Sequence, residues 1–284
     1  MENAVIKMKQ VRFLPKRPLL IGLLFTLTLM TLTVFGSYFL PHDPFLIDMG
    51  NRLQPASSSH WLGTDQLGRD VLSRLLLGAK LTVGLGVLAI IFSILIGVPI
   101  GLFSGYIGGK LDAVFMRIID AILAFPDFIL AIAIAGILGP SLTNIIIAII
   151  LVRWIVYARV VRGLVLAEKE KEYVKVSKIV HSSHTKTIRL HLLPQIMPEV
   201  IAMAAVDIGK IILMISALSY IGLGAQPPIP EWGAMLNDGR AYFQVVPALM
   251  IYPGVAIMLT VLTFNLLGDG LKSNFDTRKG SDGK

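Results

Sequence analysis

The residues that could do chemistry in this chain are few, and most stand where charge is costly. Asp207 and Lys210 lie three apart inside an otherwise apolar stretch, Val200–Gly224. On a helix that spacing puts both on one face, close enough to pair. Ionisable side chains in such a stretch face a bundle interior or a water-filled path. Two roles stay open for this pair of pathway candidates: a lining that meets a polar or zwitterionic solute, or a self-satisfied pair that joins helices. Asp120, Asp127 and Arg153 read as packing partners, with Asp127 following Pro126 at a place suited to cap a kinked helix. His42 and His60 could contact a metal, but they are far apart in the chain and read as solvated or interfacial, so no metal site is expected.

Several chemistries are missing. No Gly-x-x-x-x-Gly-Lys-[Ser/Thr] occurs, and Gly109-Lys110 and Gly209-Lys210 lack both the hydroxyl residue and the upstream glycine. ATP binding by a P-loop is therefore not expected. There is no His-Glu-x-x-His, no Gly-x-Ser-x-Gly and no cysteine at all, which also removes disulfides and thiolate metal sites. No catalytic residue and no cofactor are expected, and the chain does not read as an enzyme.

The elements that must position these residues are membrane helices. The 284 residues are 55% apolar and only 15% charged, against about one quarter charged in soluble domains. The mean hydropathy is +0.74. The net charge of +8 would point to nucleic acid in a soluble protein; here it reads as basic residues kept on inner loops, with the lipid bilayer as the partner and no nucleic acid. A span needs about 20 mostly apolar residues. Six stretches qualify: Leu19–Leu40, Leu81–Phe103, Ile118–Leu138, Leu142–Val161, Val200–Gly224 and Val245–Leu267. The first is too long for a signal-peptide core and lacks a small-residue cleavage site, so it reads as retained. Lys and Arg concentrate before the first span, after the second and fourth, and in the C-terminal tail, which sets both termini inside. Pro99, Pro126, Pro247 and Pro253 fall within spans, as do Gly84, Gly86, Gly97 and Gly101; they serve close packing or give flexibility to a moving path. The polar end, Thr277–Lys284, is expected to be disordered.

The segment Glu168–Pro194 is polar, basic and inside. Tyr173, Val176, Ile179 and Val180 make an apolar stripe, with Lys171, Lys175, Lys178 and Ser182 elsewhere, an amphipathic helix pattern. Ser182 and Ser183 are placed to cap a second short helix, His184–Leu190. Leu193-Pro194 then ends the loop and Pro198 opens the next span. The pattern alone fits helices lying on the membrane surface as well as helices docked on a cytoplasmic protein.

Five ordered motifs carry a resemblance. They are His60-Trp61-Leu62-Gly63-Thr64-Asp65-Gln66-Leu67-Gly68-Arg69-Asp70; Met116-Arg117-Ile118-Ile119-Asp120 followed by Ala124-Phe125-Pro126; Tyr157-Ala158-Arg159-Val160-Val161-Arg162; Gly222-Leu223-Gly224-Ala225-Gln226-Pro227-Pro228 with Pro230-Glu231-Trp232-Gly233; and Asn265-Leu266-Leu267-Gly268-Asp269-Gly270-Leu271. With them the chain, over roughly Leu19 to Asp276, resembles the second permease subunit of the dipeptide, oligopeptide and nickel branch of ATP-binding cassette importers. The resemblance implies an all-α, six-span, type I importer permease fold with both termini inside. It implies a heterodimer with a second permease subunit, two ATP-binding subunits that hydrolyse ATP, and an extracytoplasmic substrate-binding protein. It also implies that the inner loop couples to the ATPases through a Glu-Ala-Ala…Gly…Leu-Pro pattern. Here Lys175-Val176-Ser177 stands at the Glu-Ala-Ala and His181 at the Gly, while Leu193-Pro194 matches; Glu172 and Ser183 flank these positions. Glycine there would permit a positive φ, which histidine tolerates at some cost.

The expected organisation is an inner tail (1–18), a first span (19–40), an outer segment (41–80), a core permease domain (81–271) carrying the coupling loop (168–194), and an inner tail (272–284). The implied substrates are short peptides, nickel or metal chelates. From the residues alone, an ion-coupled secondary transporter, which Asp207 would suit, and a purely structural membrane anchor stay open.

Overall fold

A computed structural model describes residues 17–174 and 184–281. Lys175, Val176, Ser177, His181 and Ser183 of the expected coupling loop lie outside the described residues. Those described are helical apart from turns, two short 3-10 segments and one isolated antiparallel bridge, Thr64 to Asp70.

The helices are α1 (Arg17–Phe35), α2 (Val71–Ile107), α3 (Gly109–Leu123), α4 (Asp127–Leu138), α5 (Leu142–Glu168), α6 (His184–Thr187), α7 (Leu193–Tyr220), α8 (Trp232–Arg240) and α9 (Ala248–Ser281). Five stretches are long and apolar enough to cross a membrane, and a sixth is a bent pair. The bent pair corrects the expected third span. Ile118–Leu138 is not one helix: α3 and α4 meet at 87° across Ala124-Phe125-Pro126. Pro126 has no N–H to donate and disfavours helix at the residue before it. With 12 residues, α4 reaches only about 18 Å, roughly half of the bilayer core.

Several spans run past their expected bounds. α2 has 37 residues, about 55 Å, and so extends beyond the hydrocarbon. The fifth span is helical from His184 to Tyr220. Leu193-Pro194 therefore lies within this span, and the expected short helix His184–Leu190 is its first part. A π turn, Ile188–Leu192, joins α6 to α7, with Leu193 N–H bonding to Ile188 O. The wider turn makes room for Pro194, whose ring would otherwise meet the carbonyl of residue 190 and whose nitrogen cannot donate. Pro198 lies inside α7, and the last span starts at Ala248, just after Pro247. The backbone of α9 continues to Ser281, beyond the expected start of a disordered tail.

The core is the seam between α2 and α5, sealed by α4 and α7. Gly97 and Gly101 let the two backbones close. A Cβ on Gly97 would sit 2.6 Å from Tyr157 Cβ, and one on Gly101 would sit 2.8 Å from Val161 Cβ, distances no real side chain occupies. A second cluster joins Ala79 and Val83 of α2 to Ile212 of α7, Trp232 and Met235 of α8, and Ile257 and Phe264 of α9. A third seats Met116 and Ile119 of α3 on Ile155 and Ala158 of α5. The outer faces of α1 stay exposed, Leu24 and Leu27 among them, as expected of side chains that meet lipid.

Gly101→Leu is expected to force α2 from α5, with a drop in folded protein recovered from membranes. Gly84→Ala, where no atom stands within 4 Å of an added Cβ, is expected to leave recovery unchanged. Equal recovery of the two variants in size-exclusion chromatography would refute the close seam.

Candidate functional site

Polar side chains gather at three levels of the bundle. In mid-span, Asp207 of α7 is buried at 2% exposure. Arg153 of α5 reaches it through Nη2 at 2.5 Å, and Arg153 Nη1 reaches Asp127 Oδ2 of α4 at 3.1 Å. Tyr157, one turn beyond Arg153 on α5, donates its hydroxyl to Asp207 Oδ2 at 3.0 Å. Lys210 Nζ stands 3.5 Å from Asp207 Oδ1, but its side chain is 61% exposed. The i, i+3 pair read from sequence exists, yet Arg153 holds the same carboxylate more closely. Asp127 also accepts from Phe128 N–H at 2.8 Å in the first turn of α4. Asp120 pairs with Arg159 at 3.4 Å, both exposed.

On the outer side, the motif from His60 to Asp70 folds into a clamp. Asp65 accepts from the amides of Leu67 (2.8 Å) and Arg69 (3.0 Å) and from Arg69 Nε (2.6 Å), with Arg74 Nε at 3.4 Å. Arg69 and Arg74 both face Asp238 of α8, at 3.7 and 3.9 Å. Arg74 also donates to the carbonyls of Pro44 (3.2 Å) and Pro228 (3.3 Å), so one guanidinium joins three outer segments. Burial pushes the Asp238 carboxyl up from its ordinary value, and Arg74 and Arg69 only partly offset it. Gly68 closes the turn at φ +75°; an added Cβ would collide with the Asp48 backbone and sit at a strained φ.

The other outer motif is equally locked. Glu231 is fully buried, caps α8 by accepting from Gly233 N (2.9 Å) and Ala234 N (3.0 Å), and accepts from Thr82 Oγ1 of α2 at 3.0 Å. Burial raises its carboxyl, against the pull of those amides and of the Ser219 and Thr82 hydroxyls. Trp232 is 3% exposed and donates Nε1–H to Leu75 O at 2.9 Å. The indole is packed inside the protein.

At the inner side, the expected coupling loop has a built base. Glu168, at the end of α5, pairs with Lys171 at 2.9 Å and accepts from the Tyr173 hydroxyl. Burial and this bond hold the Tyr173 phenol above its ordinary value. Val174 is fully buried in the main core beside Leu192 and Ile196. Lys169 donates to Gly105 O at 3.0 Å, and Tyr106 bonds His184 Nδ1 at 2.9 Å. The ends of α2 and α5 thus hold both chain ends of the loop. Glu172 is exposed at the loop's start, while Leu193 and Pro194 stand at the π turn. Deeper on this side, Arg162 forms a two-pronged pair with Asp112 at 2.5 and 2.6 Å.

Sequence reasoning missed Tyr157 as a partner of Asp207, and Asp238 as the acceptor for Arg69 and Arg74. Tyr157 stands four residues after Arg153, and that helical spacing is a usable signal. Asp238 carried none, because its partners come from another helix. His42 and His60 do meet, with ring centroids 4.5 Å apart. Asp70 beside them sits below the ordinary carboxylate range: burial raises it, but bonds from His60 and Ser73 and the charge of His42 outweigh that.

Residues 97–281 match the family model described as binding-protein-dependent transport system inner membrane component. Similar proteins include the nickel transport system permease protein NikC of Escherichia coli (strain K12), 39% identical over 250 residues, covering 88% of this chain and 90% of the relative. The probable D,D-dipeptide transport system permease protein DdpC of the same strain is 40% identical over 287 residues, covering 98% and 96%. The glutathione transport system permease protein GsiD of Pectobacterium atrosepticum is 37% identical over 268 residues, covering 94% and 89%. Among solved structures, an inward-facing form of the MetNI methionine ABC transporter matches with a TM-score of 0.57 at 18% identity, covering 71% of this chain and 95% of that one. That likeness is one of fold.

Removing one member of a buried ion pair strands the other, at about 3–5 kcal/mol. Asp207→Asn and Arg153→Met are each expected to lower the thermal midpoint of the detergent-purified protein strongly. The double variant is expected to recover part of the loss, and Lys210→Met to change it little. Additive losses in the double variant would show that the pair is not the tie.

Proposed function

This chain belongs to the family of binding-protein-dependent transport system inner membrane components, and we propose that, with a second, distinct permease chain, it forms the membrane path of an importer for short peptides or for nickel carried as a chelate. The chain is an integral permease subunit of an ATP-binding cassette importer in the inner membrane. The relatives named for nickel, glutathione and D,D-dipeptide transport support the substrate class.

Lys210 carries the argument for a partner permease. Its side chain, near the middle of an apolar helix, is 61% exposed. A charge facing lipid at that depth is costly, so protein or a water-filled path must cover it. On the same face Leu213 is also exposed, as a helix awaiting a partner would be. Asp207 acts as the tie between α4, α5 and α7, and Lys210 as the member open to the path. Ion-coupled transport would need a carboxylate free to load and release its ion; Arg153 occupies Asp207.

Two ATP-binding subunits supply hydrolysis, since the chain has no P-loop. The segment from Glu172 through Lys175, Val176, Ser177, His181 and Ser183 to Leu193 and Pro194 docks on them. Its rigid base of Glu168, Lys171, Tyr173, Tyr106 and His184 supports that reading. The helices anchored there would carry loop movement into the membrane. An extracytoplasmic binding protein delivers substrate to the outer clamp, and it can drive the switch only by binding the two states differently.

Two measurements test this together. Purification of the tagged chain in mild detergent is expected to bring down a second permease and two ATPases. A strain lacking the chain is expected to lose uptake of labelled short peptides or to lose cellular nickel in metal-poor medium. A chain that purifies alone, in a strain with normal peptide uptake and normal nickel, would refute the proposal.

A further inference from the structure

His42 comes from the turn after α1, His60 from the outer clamp, and Asp70 is the residue that starts α2. Each offers one ligand atom, and these atoms all lie within 4.8 Å of one another. His60 Nδ1 is 2.9 Å from Asp70 Oδ1, and His42 Nδ1 is 3.8 Å from the same oxygen. The Asp70 side chain is 1% exposed, His60 19% and His42 38%, so the carboxylate is dry and the imidazoles are open to entry from outside.

The two oxygens of Asp70 are divided. Oδ2 accepts from Ser73 N and from Ser73 Oγ, both at 2.7 Å. Oδ1 is left facing the imidazoles. Ser73 Oγ in turn accepts from the backbone N–H of His42 at 3.1 Å. One serine therefore fixes the carboxylate and holds His42 beside it. A further observation points to a ligand: His42 Nδ1 is shielded from solvent and has no hydrogen-bond partner. A buried polar atom of that kind is costly unless something else satisfies it.

We propose that His42, His60 and Asp70 form a binding site for a divalent first-row transition cation of the nickel, cobalt or zinc class. Two imidazole nitrogens and one carboxylate oxygen suit these borderline ions. Ligands around a tetrahedral ion of this class stand about 3.3 Å apart, so closure needs movements on the order of 1 Å. Coordination satisfies His42 Nδ1 and replaces the His60–Asp70 hydrogen bond; the proton leaves His60 Nδ1 and a neutral imidazole carries it on Nε2 instead. Three protein ligands leave a further position for water or for a donor on an arriving solute. The N-terminal partial charge of α2 opposes a cation, and the Asp70 carboxylate offsets it. The bound ion ties the end of the first span, the outer clamp and the start of α2 at one point. The inference does not depend on the transported substrate.

The test uses the assembled importer, purified through a non-histidine tag and stripped with chelator. Equilibrium dialysis against nickel and, separately, zinc is expected to load one ion per copy of this chain. His42→Gln is expected to weaken that binding at least tenfold. Asp70→Asn keeps a residue type that caps helices well, so it is expected to lose the ion while the complex stays assembled and monodisperse. His191→Gln, on the inner side, is expected to bind as the parent does. No ion on the parent, or equal binding by the parent, His42→Gln and Asp70→Asn, would overturn the site. Because binding is read without transport, that result would leave the importer function standing.

Discussion

A carboxylate and a guanidinium buried together at the middle of a membrane bundle leave little freedom to what surrounds them. Each ion alone would be prohibitively costly in hydrocarbon. Together, at 2.5 Å, they fix where α5 and α7 stand along each other, because a slip of one residue would strand both charges. The second arm of Arg153 reaches Asp127, so the pair also sets where α4 begins. α4 begins at that contact, directly after the proline break. Tyr157 completes the arrangement one turn along by donating to Asp207, while Gly97 of α2 lets that helix close on the Tyr157 backbone side.

The outer face solves a related problem by other means. Its loops are irregular backbone, and irregular backbone survives beside a bilayer only when its polar groups are satisfied. Asp65, Arg69, Arg74, Glu231 and Trp232 do this work by bonding to amides and carbonyls as well as to each other. The result is a rigid cap across the starts of α2 and α8.

The inner face ties the ends of the basic segment to long helices. From Arg153 to Glu168, α5 is an unbroken rod of about 22 Å, with the ion pair at one end and the loop's base at the other. The loop's other end enters α7 through the π turn and Pro194, a natural place for a small change of direction. Both described ends of the segment are thus continuous with the helices that carry Arg153 and Asp207.

Much of this protein was legible in its residues. Six apolar stretches, the basic inner segments and five ordered motifs sufficed for a polytopic permease, because hydrocarbon thickness and the cost of charge in it act on any sequence alike. The pairing of Asp207 with Lys210 was legible too, since three residues along a helix is a local relation. Other features depended on the tertiary structure. Which partner holds Asp207 most closely, which residue Arg74 and Arg69 face, and that His42 and His60 share one carboxylate are relations between distant segments, and no periodicity records them. The right-angle break at Pro126 and the π turn before Pro194 belong between these cases: a proline marks each place in the sequence, but only packing decides whether the chain bends sharply or absorbs it within a continuing helix.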